Sequence, residues 1–222
     1  MSIQQNLNNI KSSLPEHVTL VAVSKTKPNA DISEAYDAGQ RVFGENYVQE
    51  LVEKQEQLPK DIQWHFIGHL QSRKAKLIAP FVSLIHGVDS LKLLQEINKQ
   101  AQKNNRVIDC LLQVHIADEE TKFGLDENEL DEMLNQVQHD NSQFKNVRVV
   151  GLMGMATFTD DQNQIKKEFQ YLKSLFDKYA KLKTENWQLN TLSMGMSGDY
   201  ELAISCGSTM VRIGSSIFGN RN

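Results

Sequence analysis

The feature that most constrains the fold is a repeated alternation of strand-like and helix-like segments along the whole 222-residue chain. Eight strands are predicted, at residues 17–25, 41–46, 62–68, 81–89, 107–117, 147–156, 188–197 and 210–214. Each strand except the last is followed by a predicted helix. Alternation of this kind indicates an α/β protein with a parallel sheet, and eight units predict closure into a (β/α)8 TIM barrel.

The helices are predicted from apolar residues at helical spacing and from glycine, proline and capping signals. They lie at residues 30–39, 47–57, 91–104, 127–139, 164–182 and 199–207. Residues 69–79 form a basic turn and a helix, and residues 1–14 form an additional N-terminal helix. No linker or low-complexity segment interrupts the pattern. We therefore expect a single domain over residues 1–222.

A doubly wound open sheet is the alternative architecture. It favours a glycine-rich phosphate-binding turn after the first strand. This chain instead has Ser24-Lys25-Thr26-Lys27 at that position.

Charge and cysteine content exclude some classes of function. The net charge of −4 argues against a nucleic-acid backbone as the main partner. Cys110 and Cys206 have no metal-type spacing, which favours a reducing, cytoplasmic location. No apolar stretch is long enough for a membrane span. The sequence predicts a cytoplasmic protein without nucleic-acid or membrane partners.

Lys25 is the first candidate for chemistry. Barrel enzymes carry function on the loops that follow their strands, and a desolvated lysine amine there can attack an aldehyde. The other predicted strand-end loops supply Glu45, Asn46, His65, His69, Lys122, Ser197, Gly214 and Ser215, with Arg212 beside the last two.

The loops after strands seven and eight predict a phosphate site. Ser197 and Gly198 directly precede a short predicted helix, and Gly214, Ser215 and Ser216 follow strand eight. Backbone N–H groups at such turns can bind a dianion without a cationic side chain. Opposite Lys25, this arrangement fits a phosphorylated aldehyde, and pyridoxal 5′-phosphate (PLP) meets the requirement.

Long motifs carry a resemblance to a known family. AVSKTKP at 22–28, RVFGENYVQE at 41–50, WHFIGHLQ at 64–71, GLMGMA at 151–156 and the stretch at 193–219 resemble the pyridoxal phosphate homeostasis protein family. Members resemble the N-terminal barrel of alanine racemase. The resemblance implies that Lys25 binds PLP as a Schiff base, and that the cofactor is lined by Asn46, His65, Met196, Ser197, Arg212, Gly214 and Ser215.

The resemblance also implies a role in intracellular PLP homeostasis without robust catalytic turnover. Arg212 would face the pyridine nitrogen, and an arginine cannot accept a proton, so the cofactor would be a weak electron sink. The racemase takes its second catalytic base, a tyrosine, from a domain that this chain is expected to lack, which leaves at most weak racemase-like activity. A monomer is expected, with PLP-dependent apo-enzymes as possible recipients. One departure is Arg73, where the family pattern has asparagine.

The same residues allow other functions. A Schiff-base lyase of the aldolase type, acting on a phosphorylated sugar, is the enzyme alternative, with Glu45 as its acid/base candidate. His65 and His69 lack the carboxylate of a zinc motif, so no metal site is predicted. GMSGD at 195–199 departs from a nucleophile elbow at Asp199.

Two further hypotheses remain open for these residues. A scaffold without a small ligand is a third type of function. Lys27 and Lys122 are hypothesised to receive the cofactor from Lys25 during release.

Overall fold

The protein is a closed barrel of eight parallel strands in the order β1 to β8. A computed structural model describes residues 2–119, 123–139, 144–182 and 184–219. The strands are β1 Thr19–Val23, β2 Val42–Glu45, β3 Gln63–Phe66, β4 Leu84–Val88, β5 Ile108–Gln113, β6 Val147–Met153, β7 Trp187–Met196 and β8 Met210–Ile213. The predicted (β/α)8 barrel is confirmed.

Helices follow the strands around the outside of the barrel. They are α1 Ile3–Ser13, α2 Asn29–Asp37, α3 Val48–Gln57, α4 Ala75–Ile78, α5 Leu91–Lys103, α6 Glu127–His139, α7 Gln162–Tyr179, α8 Tyr200–Ser205 and α9 Ser215–Phe218. A short 3-10 helix, Ser72–Lys74, precedes α4, so residues 69–79, predicted as a basic turn and a helix, contain a short 3-10 helix and one turn of α-helix. No helix in the described part of the chain combines the length and apolar character that crossing a membrane requires.

The apolar side chains of β5 pack into two different hydrophobic clusters. Leu111 lies in a cluster inside the barrel with Val21 and Met210. Cys110 and Leu112 belong to the larger cluster between the barrel and its helices. Because successive side chains of a strand point to opposite faces, a strand covered on both sides needs apolar residues at every position.

The sequence prediction was wrong about the end of the chain, where it placed no helix after the last strand. The structure has the short helix α9 there, and α1 packs against it. Asn6 donates a hydrogen bond from Nδ2 to the Ile217 carbonyl oxygen at 3.1 Å. Leu7 and Ile10 of α1 are buried, and Ser2 and Gln5 form a capping box at its start. The predicted N-terminal helix is therefore part of the barrel's outer layer.

Pairing of β1 with β8 closes the barrel and brings distant loops together. Val21 is in register with Arg212 and Ala22 with Ile213. On the other side of β1, Val23 is in register with Gly44 of β2. The residues that follow β1, β2 and β8 are therefore neighbours at the carboxyl-terminal end of the barrel, where such folds carry their sites.

Candidate functional site

A cavity of about 430 Å³ opens at the carboxyl-terminal end of the strands. Its volume falls in the range of about 300–1,000 Å³ typical of small-molecule sites. It is lined by Val23, Lys25, Lys27, Asn46, Ile67, Met155, Phe158, Met196, Ser197, Gly198, Arg212, Gly214, Ser215 and Gly219. Seven of the eight cofactor residues predicted from the sequence are in this lining, and His65 is the exception.

Lys25 lies two residues beyond the end of β1, in a tight turn. The Lys27 N–H donates to the Ser24 carbonyl oxygen at 3.0 Å and closes the turn. Lys25 is half-buried and lines the cavity together with Lys27, whose Nζ donates to the Phe218 carbonyl oxygen at 3.0 Å. The amine predicted to react with an aldehyde is thus at the mouth where the sequence placed it.

The turns after β7 and β8 meet directly. The Gly214 N–H donates to Ser197 Oγ at 3.3 Å, so the two predicted phosphate-binding turns are hydrogen-bonded to each other. At the first turn the Met196 N–H donates to Asp199 Oδ1 at 2.6 Å, which fixes the chain before α8. Ser215 begins α9, and the first N–H groups of a helix have no partner within the helix.

Gly214 allows β8 to end close to β1. A Cβ atom at this position would lie 3.2 Å from the Val23 carbonyl oxygen and 3.3 Å from Val23 Cβ. The missing side chain therefore keeps the phosphate-type turn beside the strand that carries Lys25. This close approach fits a ligand that spans from the amine to the turns.

Arg212 presents a fixed cation to the cavity. Its guanidinium is buried and donates to the Ser193 carbonyl oxygen at 2.9 Å, to Ser193 Oγ at 2.6 Å and to the Gly154 carbonyl oxygen at 3.0 Å. Burial lowers the pKa of Arg212 to about 10, opposed by the attraction of Asp199. The side chain stays charged at neutral pH and can only donate hydrogen bonds.

His65 lies inside the barrel, away from this cavity. Its Nδ1 is 3.1 Å from His86 Nε2, and His86 Nδ1 is 3.3 Å from Ser193 Oγ. Because Arg212 donates to Ser193 Oγ, the Ser193 hydroxyl donates to His86 Nδ1, and His86 Nε2–H donates to His65. Burial lowers the pKa of His65 to about 3 and also lowers the pKa of His86. The hydrogen-bonded side chains of Ser193, His86 and His65 are therefore uncharged below Arg212.

His65 instead borders a second cavity, of about 490 Å³, at the amino-terminal end of the barrel. Its lining includes exposed polar residues at or near the starts of strands, such as Gln63, Gln188 and Asn190. Barrel enzymes carry their active sites at the carboxyl-terminal end of the strands, not at this end. The first cavity is therefore the candidate site although it is smaller, because it contains the lysine, the arginine and the two hydrogen-bonded turns.

Asn46 has an unsatisfied polar atom beside the cavity. Its Oδ1 is buried and accepts no hydrogen bond from the described part of the chain. A buried amide oxygen without a donor costs free energy unless a ligand or water supplies one. The site therefore has an open place for a hydrogen-bond donor next to Lys25.

The structure differs from the prediction in two ways: some residues that line the cavity were not predicted, and a predicted candidate lies elsewhere. Met155 and Phe158, which follow β6, line the cavity although the sequence assigned no site residue to that loop. Met155 belongs to the motif at 151–156 and Phe158 follows it, so their position after a barrel strand was the available signal. His69 is turned away to Asp89, with 3.0 Å between its Nδ1 and the Asp89 Oδ2 atom. Lys122 is outside the described residues.

The fold and this site define a barrel of the alanine racemase type. A family model described as "Alanine racemase, N-terminal domain" matches residues 1–222, and the chain belongs to this family.

Relatives named "Pyridoxal phosphate homeostasis protein" are similar over nearly the whole chain. The one from Pasteurella multocida is 41% identical over 237 residues, covering 100% of this chain and 99% of the relative. The human one is 43% identical over 213 residues, covering 91% and 76%. The structure of PipY from Synechococcus elongatus with PLP bound is 37% identical, with a TM-score of 0.88, covering 98% of this chain and 100% of that one. The resemblance to the pyridoxal phosphate homeostasis proteins is confirmed.

Proposed function

We propose that this protein binds pyridoxal 5′-phosphate in the cavity at the carboxyl-terminal end of the barrel, with Lys25 holding it as a Schiff base. The observation that carries the proposal is that Lys25, Arg212 and the Ser197 and Gly214 turns line one cavity. Relatives named for PLP homeostasis, and a similar structure with PLP bound, support the same ligand.

Each group in the lining has a definite part in this proposal. Lys25 supplies the amine, and the backbone N–H groups at Ser197 and at Ser215-Ser216, in the turn that Gly214 begins, bind the phosphate. Arg212 donates a hydrogen bond to the ring nitrogen and leaves it unprotonated, because the guanidinium has no proton-accepting atom. Met196 and Asn46 border the ring, and the Asn46 Oδ1 atom is available to a ligand hydroxyl.

We propose further that the bound cofactor undergoes little turnover and that the protein acts in PLP homeostasis. When bound, PLP supplies an electron sink whose strength depends on protonation of its ring nitrogen. Arg212, fixed by Ser193 and Gly154, opposes that protonation. Alanine racemization at ordinary enzymatic rates, about 1 to 1,000 per second, would contradict this part of the proposal.

The aldolase-type lyase is less well supported, because its acid/base candidate, Glu45, does not line the cavity. Glu45 is fully buried and accepts hydrogen bonds from Ser24 at 2.6 Å and from Lys54 at 2.8 Å. It is absent from the cavity lining, so it has no position from which to exchange a proton with a substrate there.

The experiment is a visible absorption spectrum of the purified protein, loaded with PLP and separated from the unbound excess, before and after borohydride. We expect a yellow band that borohydride removes, with peptide mapping that locates the stable adduct on Lys25. Lys25→Ala should lose both signals, whereas the matched control Lys27→Ala, two residues along in the same lining, should keep them. A protein that gives no band after this loading and separation would refute the proposed ligand.

A further inference from the structure

The turn that carries Lys25 has an unfavourable backbone conformation. Thr26 has φ of +63°, in the left-handed region. A β-branched residue is a rare occupant of that region, and turns of this kind normally place glycine or asparagine there. Something outside the turn must therefore compensate the strain.

Lys54 of α3 is the centre of a buried ion-pair network beneath this turn. Only 5% of the residue is exposed. Its Nζ donates to the Ser24 carbonyl oxygen at 2.8 Å, to Glu45 Oε1 at 2.8 Å and to Glu50 Oε1 at 2.6 Å. These three hydrogen bonds use every proton of the ammonium group.

The two carboxylates hold the turn at both ends. Glu50 Oε1 accepts a hydrogen bond from the N–H of the strained Thr26 at 2.6 Å. Glu45 Oε1 accepts one from the Ser24 hydroxyl at 2.6 Å. Ser24 and Thr26 are the chain neighbours of Lys25, so the backbone on either side of that lysine is tied to α3 and β2.

We propose that Lys54, Glu45 and Glu50 are positioning residues that hold the turn at 24–27, with Thr26 in its left-handed conformation, and thereby keep Lys25 in the cavity. None of the three is in the cavity lining, so they act through the turn. Glu45 also immediately precedes Asn46, so the same network joins the loops after β1 and β2. The inference rests on the proposed function only in that Lys25 holds PLP.

Glu50 offers the cleanest test because its side chain is 22% exposed, which makes its removal less damaging to folding than removal of Glu45 or Lys54. We expect Glu50→Ala to weaken PLP binding about ten-fold, the scale of one residue's left-handed preference. Glu50→Gln keeps an oxygen that can accept the Thr26 N–H, and we expect it to retain most of the affinity. Glu53→Ala, an exposed change on the same helix, is the matched control and should bind as the wild type does.

Thr26→Gly separates strain from general loss of structure. Glycine adopts positive φ freely, so the turn should then need Glu50 less. We expect Glu50→Ala to cost about ten-fold in the Thr26 protein but less than about three-fold in the Thr26→Gly background. Equal losses in both backgrounds, or no loss in either, would overturn the proposal.

A second measurement uses the protein without cofactor. Amide hydrogen exchange at Thr26 should be slow in the wild type and in Glu53→Ala, and at least about ten-fold faster in Glu50→Ala. Unchanged exchange in Glu50→Ala would also overturn the proposal. PLP titration of the wild type is the reference: if it does not bind, the proposed function fails, whereas the exchange experiment still decides the role of Glu50.

Discussion

Substitution of Lys54 by methionine should be one of the most destabilising single changes in the protein. Methionine keeps the apolar stem of the side chain but removes the cation from a site that is 5% exposed. Glu45, 0% exposed, would keep only the Ser24 hydroxyl as partner, since its Oε2 already accepts no hydrogen bond from the described residues. An uncompensated buried charge left by breaking a pair costs about 3–5 kcal/mol in free energy of unfolding.

For a chain of this size, a loss of that magnitude lowers Tm by about 6–20 °C. Urea denaturation and calorimetry of the cofactor-free protein measure the effect. Lys99→Met is the matched control: that lysine is 62% exposed and lies 3.9 Å from Glu96, so its loss should cost at most about 0.5 kcal/mol.

The defect should also depend on pH in a defined direction. Burial raises the pKa of Glu45 above its usual value, and the charge and hydrogen bond of Lys54 oppose that rise. Without Lys54 the pKa rises further. A carboxyl whose folded pKa is raised costs nothing below its unfolded pKa, about 4.3, and destabilises increasingly as the pH rises through the folded value. The Lys54→Met defect should therefore be smaller at acid pH than at neutral pH.

Two results would refute this reasoning. One is a loss below about 1 kcal/mol at pH 7, which would place Lys54→Met among ordinary surface changes. The other is a defect that stays constant as the pH falls, which would mean that Glu45 ionisation is not its cause. The double variant Lys54→Met/Glu45→Gln should recover part of the stability, because it removes the stranded charge.

The remaining predictions concern the cavity and its supports. Gly214→Ala should cost about 1–3 kcal/mol in unfolding free energy because its Cβ would press on the end of β1, whereas Gly198→Ala, with nothing within 4 Å, should be close to neutral by urea denaturation. Ser193→Ala removes one acceptor from the buried Arg212 guanidinium and should cost about 1–3 kcal/mol by the same assay; no change would contradict the hydrogen bond at 2.6 Å. Lys27→Ala should slow transfer of PLP to an apo-enzyme, as followed by recovery of that enzyme's activity, and an unchanged transfer rate would remove Lys27 from the release route.

The positions of most predicted cofactor-binding residues follow from the sequence, because in a barrel the order of the strands along the chain determines where each strand-end loop lies. Lys25 after the first strand and the turns at Ser197 and Gly214 after the last two were each readable from local sequence. Parallel closure then places strand ends side by side regardless of the distance along the chain. That is why seven predicted residues share one cavity.

The exceptions are residues whose role depends on which way a side chain points. The sequence predicts His65 in the cavity. It points into the barrel but lies below Ile67, which lines the cavity, and it reaches Arg212 through His86 and Ser193. Glu45 is the acid/base candidate of the lyase alternative, yet its buried side chain faces α3 outside the barrel, where it accepts a hydrogen bond from Lys54. A shift of one residue reverses the face of a strand, and local sequence did not fix the register this finely.

The sequence by itself determined the architecture and the chemistry of the amine and turns, because alternating periodicities and turn residues are local properties. Only the tertiary structure decided the support around Lys25. Lys54 lies 29 positions along the chain from Lys25 and would read as a solvated helix residue, since nothing local distinguishes it from its charged neighbours. Its burial against Ser24, Glu45 and Glu50 exists only because β1, β2 and α3 pack together. Long-range packing, which fixes the desolvation and pairing of charges, lies beyond what periodicity can encode.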